Sequence, residues 1–119
     1  MAAPSSVNTS ALDVLECVGG ETLVWQLIAL YRGYVPARRA EARAAWAAGD
    51  LAGVRRACQA LRSGSAQLGL DAVVHWCTEC EARALAGDGA TLGGLLDALE
   101  AASDEALHWL ATRSRHAAA

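Results

Sequence analysis

From residue 51 onward the apolar positions Leu51, Val54, Cys58, Leu61, Ser65 and Leu68 recur at intervals of 3, 4, 3, 4 and 3, with Ser65 as a small member of the set. That alternation is the spacing of a helix laid along the seam of a bundle. At about 100° per residue, Gln59 lies roughly 130° from the centre of the stripe and is expected to face solvent. Arg55, Arg62, Ser63 and Ala66 share its outer face, one turn to either side or two turns on. The helix is therefore expected to present a polar residue framed by guanidinium groups and small neighbours.

The rest of the chain divides at glycines, prolines and capping residues. Thr9 or Ser10 is placed to cap a short helix over 10–18, which Gly19-Gly20 ends. Leu23, Leu27, Leu30 and Tyr34 mark an amphipathic helix over roughly 21–34. Pro36 is expected to interrupt it and to start a new segment with Ala37, Ala40, Ala44 and Ala47 inward, ending at Gly49. Asp50 is a natural N-cap for the helix that carries Gln59, Gly69 its C-terminal break, and Asp71 a cap for the next. Leu70, Val73, Cys77, Cys80 and Ala84 then mark a helix over about 70–86, and Gly87-Asp88-Gly89 a turn. Leu92, Leu95 or Leu96, Leu99, Ala102, Ala106 and Leu110 carry the last helix to about 113.

Connections this short force consecutive helices to run antiparallel. The expected fold is all-α: an up-down antiparallel four-helix bundle over 9–114, its first member broken at Pro36, with a short N-terminal helix across one end. Residues 1–8 and 115–119 read as flexible tails.

Composition narrows the function. At 119 residues the chain makes one domain, and the absence of Phe and of alternating β-branched runs supports an all-α reading. A net charge of −3 argues against a general nucleic-acid binder. The N-terminus has neither the charged nor the apolar region of a secretory signal, and no apolar run approaches the ~18 residues of a membrane span. Cys17, Cys58, Cys77 and Cys80 fall mostly at core-facing positions and not at disulfide-scaffold spacings, which fits a reducing cytoplasm.

With register, turns and helix lengths in place, the chain resembles the histidine-containing phosphotransfer (HPt) family of two-component phosphorelays from about Ala11 to Leu110. Family members carry a central helix reading His-x-Leu-Lys/Arg-Gly/Ser-x-Ser-x-x-Leu-Gly. This chain reads Gln59-Ala60-Leu61-Arg62-Ser63-Gly64-Ser65-Ala66-Gln67-Leu68-Gly69. The upstream Ala48-Gly49-Asp50 and the downstream Cys77-Thr78-Glu79-Cys80-Glu81 also look like the family's turn and its Cys-x-x-Leu-Glu helix. The resemblance implies a monomeric, cytoplasmic signalling module without a cofactor. It implies docking of a response-regulator receiver domain or a hybrid sensor histidine kinase.

The chain departs from the pattern at the residue that does the chemistry. An HPt histidine offers a free imidazole lone pair, which attacks an aspartyl phosphate and holds the phosphoryl group as a phosphoramidate. A carboxamide nitrogen is delocalised into its carbonyl and is not a nucleophile at neutral pH. Gln59, whether a natural loss or an engineered replacement, is therefore not expected to be phosphorylated. The resemblance gives Arg62 the role of the family's basic residue and makes Ser63 and Gly64 the small residues that admit a receiver's loops. Arg55 and Ala66 complete the expected docking patch. Glu81 stands where the family orients the imidazole, and is expected to accept a hydrogen bond from Gln59.

Other residues compete for a role. His75, His108 and His116 read as surface histidines. Cys77-Thr78-Glu79-Cys80 is formally a C-x-x-C, but falls mid-helix instead of at the helix N-terminus that lowers a thiol pKa. A metal- or redox-linked helical protein using Cys77 and Cys80 is the alternative reading, and a structural helical adaptor the next. Trp46, just before the turn into the key helix, is a candidate partner contact if exposed. Arg38-Arg39 and Arg55-Arg56 read equally as partner contacts or as solvated faces, and Asp97, Glu100, Asp104 and Glu105 as a solvated face of the last helix.

Overall fold

A computed structural model describes residues 7–118, with side chains through 113. Its four helices are α1 (Thr9–Ala47), α2 (Leu51–Gln67), α3 (Asp71–Leu85) and α4 (Gly89–Ala118). Each pair is joined by three residues, and α1 packs on α2 and α4 while α3 packs on α2 and α4, closing a four-helix ring. The bundle is the expected one.

The joints follow local chemistry. The Asp50 carboxylate caps α2 by accepting from the Gly53 N–H. Gly69 ends α2 at φ 72°, where a Cβ would also lie 2.2 Å from the Asn8 carbonyl oxygen. Glycine is required there twice over, by backbone conformation and by close approach. Asn8, not Thr9 or Ser10, caps α1, its side chain accepting from the Ser10 N–H at 3.1 Å. Asp71 is the first residue of α3 and makes no capping hydrogen bond, and α4 extends beyond the expected end to Ala118. Of the expected N-terminal tail, 1–6 lie outside the described residues; Val7 pairs with Leu70 in an isolated antiparallel bridge.

The first helix departs most from expectation. Its break lies at Gly20 (φ 74°, ψ −176°), separating the short N-terminal segment, and the chain then runs helically through Pro36. Proline leaves the Arg32 carbonyl without its helical partner. Arg32 and Pro36 are both exposed, so the interruption lies on the outer face of the helix. Because the register is never reset, the buried positions continue as Val24, Ile28, Tyr31, Val35 and Ala42. Ala37, Ala40, Ala44 and Ala47, expected inward after a break, are exposed, as is Leu30. By length and composition alone α1 is also apolar enough to cross a bilayer; in this fold its apolar stripe packs against α2 and α4.

Leu12, Ile28, Val35, Leu61, Val73, Leu96 and Leu110 meet in one core drawn from all four helices. Ser65 is buried within it, donating to the Leu61 carbonyl and sharing a 2.7 Å hydrogen bond with the Tyr31 hydroxyl. Burial pushes the Tyr31 phenol up to about 12.

Polar ties close α1 on α4. Arg39 donates to Ser103 at 2.9 Å and to Asp104 at 2.5 Å, while Arg43 pairs with Glu100 at 2.8 Å and with Asp97. The hydrogen bond to Glu100 is the main reason the Arg43 guanidinium is held above its ordinary range. Asp97, Glu100 and Asp104 are thus inter-helix partners, while Glu105 stays on the solvated face, and Arg39 is not a free contact. Trp46 is also claimed internally: its Nε1–H donates to the Gly89 carbonyl at 2.9 Å and its ring lies against Gly93.

Candidate functional site

The α2 stripe buries Val54, Cys58, Leu61, Ser65 and Leu68, which fixes the rotation of the helix. That rotation sets Gln59, Arg55, Ser63 and Ala66 on the exposed side. The Ser63 hydroxyl turns back along its own helix to donate to the Gln59 backbone carbonyl at 3.1 Å instead of reaching outward.

Gln59 sits in an open cleft of about 430 Å³ with Ala52, Arg55, Arg56, Arg62 and Glu81. Glu81 arrives from α3 and takes the Arg62 fork in two bonds, Nε at 2.7 Å and Nη2 at 3.2 Å. That ion pair holds the Arg62 guanidinium above its ordinary range. Glu81 therefore does not take the Gln59 hydrogen bond expected of it: a bidentate guanidinium is the stronger partner for a carboxylate. Among the described residues nothing bonds the Gln59 carboxamide.

The cleft brings together four of the expected residues, Gln59, Arg62, Arg55 and Glu81. It leaves Ser63, Gly64 and Ala66 outside. Gly64 opens the other way, towards an apolar groove between α1 and α2 lined by Leu27, Leu30, Tyr31, Tyr34 and Gln67. A Cβ on Gly64 would meet the Tyr31 ring at 3.6 Å, an ordinary contact. Arg56 is the lining residue whose role sequence left open. Its position three residues before Gln59 is the signal that places it there.

The competing chemistry finds little geometry. Cys58, Cys77 and Cys80 are fully buried in the core, and Cys17 alone of the four is exposed. Burial pushes the Cys77 thiol up to about 12, and Cys58 rises through its hydrogen bond with Cys80 and through burial. Cys80 is lowered through that same hydrogen bond, but it is fully buried in mid-helix with the raised Cys77 before it, so the C-x-x-C lacks the accessible, low-pKa first thiol of a redox-active pair. No group of three or more metal-ligating side chains is assembled among the described residues. His75 is exposed and stacks edge-to-face on Trp76 at 4.8 Å, away from the cleft lining.

Comparison with known proteins bears on this arrangement. Residues 26–108 match the Hpt domain family, a span that includes α2, α3 and every residue lining the cleft. Among solved structures, the crystal structure of histidine-containing phosphotransfer protein B (HptB) from Pseudomonas aeruginosa PAO1 superposes with a TM-score of 0.91. The match is 19% identical and covers 96% of this chain and 98% of that one. At that identity the likeness speaks for the fold. No curated protein matches the chain.

Proposed function

The chain belongs to the Hpt domain family, a phosphorelay module of HPt type, and from that premise we propose that it docks receiver domains without accepting their phosphoryl group. The observation that carries this reading is Gln59, exposed and lining a cleft with Arg55, Arg56 and Arg62; the resemblance of its helix gives that position to the family's phosphoacceptor histidine. A hybrid sensor kinase would be recognised through its receiver domain in the same way.

Mechanistically, transfer to an HPt histidine forms an N–P bond as the aspartyl O–P bond breaks. The imidazole supplies the electron pair and the carboxylate leaves. Gln59 has no such pair to give. The carboxamide offers an N–H donor and a carbonyl acceptor of similar reach, so it takes part in docking while the phosphoryl group stays on aspartate. Arg55, Arg56 and Arg62 supply charge complementary to a receiver's acidic pocket. Ser63, Gly64 and Ala66 keep the adjoining surface low.

The test is transfer itself. Incubation with an aspartyl-phosphorylated receiver is expected to leave no acid-labile phosphate on this chain, whereas Gln59→His is expected to acquire it. Phosphate found on the unaltered chain overturns the reading. Failure of Gln59→His with every receiver that binds shows that position 59 is not the phosphoacceptor position.

A further inference from the structure

The positive charge of the cleft is unevenly committed. Arg62, which the resemblance marked as the basic residue of the site, is neutralised by both bonds to Glu81. Arg56 is only loosely engaged: its guanidinium lies 3.7 Å from Asp50, with the side chains 72% and 49% exposed. Arg55 is exposed and forms no ion pair among the described residues. The lining thus holds three guanidinium groups against one carboxylate, and the surplus rests on Arg55 and Arg56. They lie four and three residues before Gln59, on the turn directly beneath it.

A guanidinium fork matches a tetrahedral phosphoryl group, which presents three oxygens and about two negative charges, better than a single carboxylate. Resting on the docking reading above, we propose that this cleft holds a phosphoryl group without covalent chemistry. The chain thereby binds an aspartyl-phosphorylated receiver in preference to the unphosphorylated one, and Arg55 and Arg56 are the discriminating residues. Gln59 donates its N–H to a phosphoryl oxygen where a histidine would attack phosphorus. No bond forms or breaks, so the bound phosphoryl group is shielded by the cleft and remains on the aspartate. The chain reads the state of its partner instead of discharging it.

The experiment uses the full chain and a panel of purified receiver domains from the same genome, with affinity measured with and without beryllofluoride, a stable stand-in for the aspartyl phosphoryl group. Binding is expected to be about tenfold tighter in the beryllofluoride form, and the preference to shrink as salt rises. The Arg55→Gln/Arg56→Gln double variant, both side chains being on the surface, is expected to weaken binding of both forms, but of the beryllofluoride form about tenfold more, so that the preference disappears. Equal affinity in the two states overturns this inference and leaves the docking reading standing. A preference that survives in the double variant overturns the assignment to Arg55 and Arg56. No binding to any receiver in either state overturns the docking reading itself. Inorganic phosphate competing at millimolar concentration against the beryllofluoride form alone supports the cleft as the anion site.

Discussion

Ser65 shows how much a single buried hydroxyl decides. Its spacing marks it only as a small member of the α2 stripe, but in the core it is the partner of the Tyr31 hydroxyl at 2.7 Å. Ser65→Ala is expected to cost about 1–3 kcal/mol in urea denaturation, because it leaves a buried phenol unpaired. Tyr31→Phe leaves Ser65 its bond to Leu61, so it is expected to cost only about 0.5–1.5 kcal/mol. Adding Tyr31→Phe to Ser65→Ala should recover part of the larger loss; additive losses would show that the pair does not act as one unit. The Arg62–Glu81 bridge is a weaker matter. Its side chains are 38% and 21% exposed, so a double-mutant cycle is expected to return about 0.2–1 kcal/mol. Sequence made Gln59, Arg55 and Arg62 legible because one helix face carries them all. It misassigned Glu81 because the partner of a carboxylate on α3 depends on how far an α2 side chain reaches across the interface, which no periodicity encodes.

At the scale of elements, α2 and α3 were readable because a strong apolar repeat coincided with punctuation at Asp50, Gly69 and Gly87. The first helix was not, because one punctuating residue conflicted with the repeat. Pro36 signals a break, yet Val24, Ile28, Tyr31, Val35 and Ala42 keep a single register across it. Burial of that stripe outweighs the local cost of proline, which is about 3 kcal/mol for a helix interior. The cost is still present in the folded chain. Pro36→Ala, on an exposed face, is expected to restore the bond to the Arg32 carbonyl and raise stability by about 1–3 kcal/mol, seen as a higher urea midpoint at unchanged slope. A loss of stability would mean that proline holds a local geometry the helix needs. The same conflict explains why four alanines were expected on the wrong side: a register reset at residue 37 turns the following face outward. The inter-helix role of Arg39 and Arg43 was not readable for a related reason. Arg39 and Arg43 sit on half-buried flanks of the true register, from which they reach Asp104 and Glu100 on α4.

At the scale of the whole molecule, the core contains groups that ionise far less readily folded than unfolded, and this sets an alkaline limit on the fold. Tyr31 moves from an ordinary value of 10.0 up to about 12 and Cys77 from 9.0 up to about 12, both chiefly through burial. For each, the neutral protonated form belongs to the folded state. Below about pH 9 both states keep these protons, and the contribution is fully present. Between pH 9 and 12 the unfolded chain releases them first, so it binds fewer protons than the native chain and stability falls as pH rises. For Tyr31 alone the loss across its window, from about pH 10 to 12, is of order 2–3 kcal/mol. Denaturation midpoints followed from neutral pH upward are expected to decline from about pH 9, and to decline less steeply above pH 10 in Tyr31→Phe, whatever that variant's stability at neutral pH. A profile that stays flat to pH 11 would show that the phenol and thiol titrate alike in the two states.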